Sequence, residues 1–276
     1  MEYDVIWKPH PKLPVFRAAG RCFQLLWARR RDLLAPFLAL LVMNLCMRDL
    51  EAGLIHNSWP GFVDKFLMLL AFLSSLLVNL SFSVGLYRAV LLQEPRTGLG
   101  YFCWDAHLLN ALWALVKVSL CTFTVAVGLG MASGLVIHFL IRGGAAGSKL
   151  ALVLLILAIG LPLLGVVMRL SMAVVAEAIG DTFSQGALKR SWNVTRDNVL
   201  RLYGTCFVLA ILFMVFSLIG RVLATGGLFV NPAQDGGVLT AFILPAIGIS
   251  FMHLLGAAMV SLCFDYLASD GRLMRQ

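Results

Sequence analysis

His253 is the residue of this sequence best placed for chemistry, because it stands fifteen residues inside the uncharged run 238–264. At about 1.5 Å per helical residue it lies roughly 22 Å from the start of that run. An imidazole so deep serves as a proton or ligand site, or as a neutral ring hydrogen-bonded between helices, since charge within lipid is costly. Arg169 and Glu177 form a second constellation, separated on a helix by about 80° in azimuth and some 12 Å in rise. They are too far apart to bridge each other, so each is expected to pair with a neighbouring element, as Arg88 would with Glu94 or Glu177, and Asp265 with a basic residue. His253, Arg169, Glu177 and Arg88 are thus the intramembrane polar candidates, either a substrate-binding ring or an interfacial network. Gly130, Ser133 and Gly134 with His253 suggest a Ser/His intramembrane hydrolase. The Gly-x-Ser-Gly order is missing, however, and the two side chains differ in depth by about 10 Å. Ala126, Gly130 and Gly134, four residues apart, are better explained as a close-packing helix face. Pro162 and Pro245, with Gly160, Gly165 and Gly248 near them, could mark the broken helices of a transporter. No phosphate-binding glycine loop, His/Glu zinc cluster or paired acidic motif occurs. Cysteines 22, 46, 103, 121, 206 and 263 are scattered singly, as small packing residues are. The expectation is a protein without enzymatic activity, metal or cofactor.

The elements that must hold these side chains follow from composition. Of the 276 residues, 60% are apolar and 13% charged, and the mean hydropathy is +0.89. Six runs lack Asp, Glu, Lys and Arg: 33–47, 66–87, 118–141, 150–168, 202–220 and 238–264. A hydrocarbon core about 30 Å thick needs roughly 20 such residues per helix, so all but the first span it unaided, and the first relies on flanking basic residues that snorkel. Period-two alternation is absent, which argues against a β-barrel. The N-terminus, with Pro9, Pro11 and Pro14, does not read as a cleaved signal peptide. The fold class is all-α integral membrane, one domain over residues 1–276 with about six transmembrane helices.

Seventeen of the 22 Lys and Arg fall on the N-terminal side of this arrangement; only Arg48, Lys65, Arg142, Lys149 and Arg221 fall on the other. Basic loops stay in the cytoplasm, so both termini are expected there. Trp7, Trp27, Trp104, Trp113 and Trp192 lie near the same basic ends, whereas Trp59 lies opposite. The net charge of +8 therefore points to the anionic lipid of the cytoplasmic leaflet as a partner, together with other membrane proteins, and not to nucleic acid.

The spans group as three pairs, each preceded by a basic or aromatic interfacial elbow, with pseudo-repeats at about 15–93, 98–177 and 181–268. In the first elbow Val15, Phe16, Ala19, Cys22, Phe23 and Leu26 share an arc, with Arg17, Arg21 and Gln24 opposite. The second, 99–108, is aromatic and less clearly amphipathic. In the third, Asp181 is positioned to cap a helix whose Phe183, Ala187, Leu188 and Trp192 share a face against Lys189, Arg190 and Arg196. The candidate lipid or partner contacts are Arg17, Arg21, Trp27, Arg29, Arg30, Arg31, Lys189, Arg190, Trp192 and Arg196.

Arg169-Leu170-Ser171-Met172-Ala173, then Glu177-Ala178-Ile179-Gly180, then Gly186-Ala187-Leu188-Lys189-Arg190-Ser191-Trp192-Asn193-Val194-Thr195-Arg196-Asp197-Asn198, make up a motif. The run Tyr87-Arg88-Ala89-Val90-Leu91-Leu92 to Glu94-Pro95-Arg96 resembles its mid-chain turn. Together they resemble uncharacterised bacterial multi-span proteins likened to the glycerophosphoryl diester phosphodiesterase membrane domain, with Asp197 where that pattern has glycine. The resemblance implies a membrane architecture in the bacterial inner membrane, without the phosphodiesterase catalytic domain. The expected function is non-enzymatic, that of an accessory, assembly or membrane-organising component. A small-solute or lipid transporter is the first alternative and a membrane-embedded enzyme the second.

Overall fold

The computed structural model describes residues 12–56, 61–142, 149–180, 186–225 and 243–268. The described residues form helices and no strand: α1 Val15–Ala28, α2 Arg30–His56, α3 Gly61–Leu91, a 3-10 turn at Gly98–Tyr101, α4 Ala106–Arg142, α5 Lys149–Ile179, α6 Ala187–Thr195, α7 Val199–Thr225 and α8 Leu244–Ala268. Four of them, α3, α4, α5 and α8, hold segments long and apolar enough to cross a membrane. The count rises to five if α6 and α7, bent by 90° to each other, form one span. This is the composition of a multi-pass membrane protein.

The expected first span, 33–47, is part of α2 but is not among these segments. Arg30, Arg31 and Asp32 precede it and Arg48 and Asp49 follow, which leaves an uncharged run shorter than the roughly 20 residues a span needs. The second elbow is not a separate helix. Residues 99–108 belong to the 3-10 turn and the first turn of α4, whose N-terminus is capped by Asp105 Oδ1 accepting from the amides of His107 (3.0 Å) and Leu108 (3.3 Å). Asp181 and Phe183 lie outside the described residues, and α6 begins at Ala187 with Gly186 at its N-cap. Pro162 leaves α5 an unbroken helix, and Pro245 sits in the first turn of α8, where a missing amide proton removes no intrahelical bond. The broken midplane helices of a transporter are therefore absent at these two prolines.

α2 packs on α3, α4 on α5 and α7 on α8, while α8 also touches α1, α3, α5 and α6. Its most apolar window is 56% buried, against 11% for α4, so α8 is the hub and α4 lies at the periphery. Burial is concentrated toward one end. Ser81, Phe82, Val84, Leu86 and Ala89 of α3 are fully buried or nearly so, as are Ala173, Val175, Ala176 and Ala178 of α5 and Leu255, Ala258, Ser261 and Phe264 of α8. At the other end of the same helices Phe66, Phe72, Leu161 and Ile249 are exposed. Small residues explain where the packing occurs, because helices in lipid associate by close backbone approach and not by a hydrophobic drive. Ser81, Gly85 and Ala89 repeat at every fourth residue on α3. In the triplet expected to pack closely, Ala126, Gly130 and Gly134, an added Cβ on Gly130 would meet nothing within 4 Å, and the packing of Gly134 lies outside the described residues.

At Gly85 the 3-10 turn lies directly on α3. A Cβ there would strike the Tyr101 carbonyl far inside contact distance, whereas one on Gly100 would meet nothing within 4 Å. Ser81 Oγ donates to Cys103 O at 2.7 Å, and the Cys103 amide returns a bond to Ser81 O at 3.3 Å. Gly85→Ala is expected to destabilise the protein by at least about 1–3 kcal/mol, the range typical of overpacking, because a backbone carbonyl cannot rotate away as a side chain can. Gly100→Ala should be neutral. Thermal unfolding of both variants in one detergent checks this.

Candidate functional site

The basic end of the molecule is built by α1, α6, the 3-10 turn and the adjoining ends of the long helices. α1 turns Ala18, Ala19, Cys22 and Leu26 inward. Phe16 and Trp27 are 82% and 71% exposed, and Phe23 is also exposed, so the apolar arc is shared between the core and the surroundings. Arg17 and Gln24 are exposed beside it, and Arg21 is half-buried. α6 faces the core through Ala187, Ser191, Val194 and Thr195, with Leu188 packed partly buried against it and Trp192 exposed. Of the apolar face expected from the periodicity, Ala187 and Leu188 meet the core, and Ser191 and Thr195 join them as polar yet satisfied residues. Ser191 Oγ donates to Arg169 O, and Thr195 Oγ1 donates to Ser191 O at 2.8 Å.

Trp192 therefore points outward, and the Arg169 guanidinium lies 4.1 Å above its ring. Two similar pairs stand at the same end: Arg30 is 4.8 Å from the Trp27 ring centroid and Lys117 Nζ is 5.5 Å from that of Trp113. Each contributes about 0.5–1 kcal/mol where exposed and fixes a cation over an exposed indole. Arg169 Nη2 also donates to Arg196 O at 3.1 Å, which anchors the α6–α7 bend.

Arg88 pairs with Glu94, one of its two expected partners. Glu94 is held between two guanidiniums, since Arg88 donates through Nε and Nη2, and Arg96 through Nε and Nη2 at 3.1 and 2.7 Å. Arg96 Nη1 continues to Gly100 O at 2.9 Å and Cys103 Sγ at 2.8 Å, tying the turn together. Glu94 lies beyond α3, and the hydrogen bond from Arg88, followed by that from Arg96, holds its carboxyl below the usual range. Burial pushes the Cys22 thiol up to about 12 and also raises Cys103, so neither is a ready nucleophile.

His253 Nε2 lies 3.0 Å from Ser83 Oγ and 3.1 Å from Asn79 O. A carbonyl only accepts, so Nε2 carries the proton, and Ser83 Oγ donates to the same carbonyl at 2.8 Å. A nitrogen already protonated cannot take a proton from Ser83, so this pair ties α8 to α3 and does not activate a nucleophile. Glu177 is half-buried near the end of α5, where Gly180, at φ 75°, closes the helix with its amide donating to Glu177 O at 3.2 Å. His253 and Arg169 thus have separate partners, on α3 and at the α6–α7 bend, and no hydrogen bond among the described residues joins either to Glu177.

Sequence inspection missed the anchor of the N-terminal segment. Asn198 Oδ1 accepts from the Leu13 amide at 2.8 Å, Arg201 Nη1 donates to Leu13 O at 2.9 Å, and Tyr266 donates to Lys12 O at 3.2 Å. Asn198 is 1% exposed; a buried asparagine at a helix start was the available signal.

The family model that matches residues 106–269, α4 through the end of α8, is described as a domain of unknown function, DUF7847. The match covers more than half of the chain, which belongs to this family. Neither a curated protein nor a solved structure matches it.

Ser83→Ala should cost about 0.6 kcal/mol, the mean for an interhelical hydrogen bond in a membrane protein. His253→Ala, which also empties space beside Phe82, should cost roughly 2 kcal/mol or more. Unfolding of both variants in mild denaturing detergent compares them. Because the folded carboxyl of Glu94 is depressed, its contribution is present above the ordinary glutamate range and is lost as pH falls through the folded value. The stability gap between the protein and Glu94→Gln should be flat near neutrality and close in acid, as read from melting temperature against pH.

Proposed function

We propose that this protein is a non-enzymatic component of the bacterial inner membrane that acts by binding, as an accessory, assembly or membrane-organising factor. Its basic face engages anionic lipid of the cytoplasmic leaflet and partner membrane proteins. The observation that carries this reading is the set of three cations, Arg30, Lys117 and Arg169, each held over an exposed tryptophan at one end of the helices. An indole with a cation above it suits the headgroup layer, where one side is apolar and the other meets phosphate. Arg17, Arg31, Lys189 and Arg196 are exposed at the same end and add to its charge.

The arrangement that goes with this function is six spans in three pairs, α2 with α3, α4 with α5 and α7 with α8, both termini cytoplasmic. The mutual packing within each pair and the concentration of Lys and Arg at one end support it. The likeness to the glycerophosphoryl diester phosphodiesterase membrane domain belongs to the same reading. Its motif residues Arg169, Ser191 and Trp192 meet at the interfacial bend, where a membrane domain would contact its leaflet.

Tryptophan fluorescence in vesicles tests the lipid arm. Brominated phosphatidylglycerol should quench more strongly than brominated phosphatidylcholine at equal mole fraction, and the difference should vanish in the triple variant Arg30→Gln, Lys117→Gln, Arg169→Gln. Equal quenching of the unaltered protein by both lipids, or a solute flux abolished by His253→Ala, would overturn the proposal.

A further inference from the structure

Between α5 and α7 runs a groove of about 900 Å³, within the roughly 300–1,000 Å³ typical of ligand sites. Leu161, Pro162 and Leu164 form one wall and Leu200, Tyr203 and Phe207 the other. Leu161, Leu200 and Phe207 are 52%, 84% and 67% exposed, so the groove opens sideways, out of the helix packing. Ala210, small and exposed, keeps the far end of the α7 wall low. Its one hydroxyl, that of Tyr203, is already donated to Leu161 O, so the walls make no polar demand on an occupant.

The groove has a charged rim at its basic end. Arg196 lies one helical turn before Leu200, at the 90° bend into α7, and its side chain is exposed. The Arg169 guanidinium reaches that bend through its bond to Arg196 O, and its Nε donor is buried without a hydrogen-bond partner. Arg196 and Asp197 both lie within electrostatic range of Arg169. Two guanidiniums with one carboxylate leave a net positive charge that a phosphate would balance. From Leu200 to Ala210 is roughly 15 Å along α7, the depth of one leaflet of a bilayer whose core is about 30 Å thick.

We infer that this groove is a binding site for a single anionic phospholipid, with one acyl chain between α5 and α7 and the phosphate between Arg169 and Arg196. Apolar walls at hydrocarbon depth select a chain, and the rim selects its charge. The inference deepens the lipid-binding function proposed above by giving it a particular site, and it rests on that reading.

The full chain, reconstituted with phosphatidylglycerol carrying a photoactivatable group within one acyl chain, tests it by mass spectrometry of the adducts. Labelling should concentrate on residues 161–164 and 200–210 and fall severalfold in Ala210→Phe, which fills the groove at an exposed position. In Arg196→Gln the advantage of phosphatidylglycerol over phosphatidylcholine at these residues should fall about fivefold, what one basic residue near an anionic leaflet contributes. Adducts spread equally over the groove and the exposed face of α4 at Leu120 and Phe123, or labelling unchanged in Ala210→Phe, would overturn the site. The quenching measurement on Ala210→Phe separates the two ideas. Retained preference for phosphatidylglycerol with lost groove labelling supports both, whereas groove labelling without any such preference sinks the broader function.

Discussion

Helices surrounded by lipid gain little from hiding apolar surface, so what holds them together must be close contact of backbone and side chain. Here that contact is made where α8 passes through the basic end. Leu255, Ala258, Ser261, Leu262 and Phe264 are all but inaccessible there, enclosed by α1, α3, α5, α6 and α7. The Cys22 thiol donates to Leu255 O at 3.5 Å, His253 ties the same helix to α3, and Tyr266 holds the N-terminal segment. Through α8 the helices α1, α2, α3, α5, α6 and α7 are joined into one packed unit.

Much of this was legible in the sequence because membrane helices are specified by composition over long windows. The runs 66–87, 118–141, 150–168 and 202–220 each fall inside a single helix, α3, α4, α5 and α7, and residues 244–264 of the last run belong to α8. The amphipathic period located α1 and α6, since a short helix with arginines on one side has few other solutions. Which apolar residues of those helices face inward was not legible. Within the apolar arc of α1, Phe16 and Phe23 lie outward while Ala19, Cys22 and Leu26 lie inward, because the headgroup layer rewards phenyl rings as a core does. Hydropathy cannot separate two apolar environments.

The site residues divide along the same line. Arg88 was legible with its partner Glu94, since the two are six residues apart across a turn. Arg169 stacking on Trp192 and Asn198 holding Leu13 depend on the path of the chain between distant positions, and one sequence does not encode that path locally. The expected second elbow was not legible either: Asp105 caps α4 directly and Gly85 accepts the 3-10 turn against α3, so no separate short helix precedes α4.

Tight packing at one end and open packing at the other give the molecule a gradient of stiffness across the bilayer. Around Gly85, Ala173 and Ala258 a displacement of one helix must displace its neighbours, whereas exposed stretches such as 66–73 of α3 and 120–131 of α4 have lipid beside them and can bend without that cost. A change in lateral pressure or thickness in the leaflet around the open ends is therefore absorbed there as helix splay. The same change around the closed end is borne by the whole assembly at once.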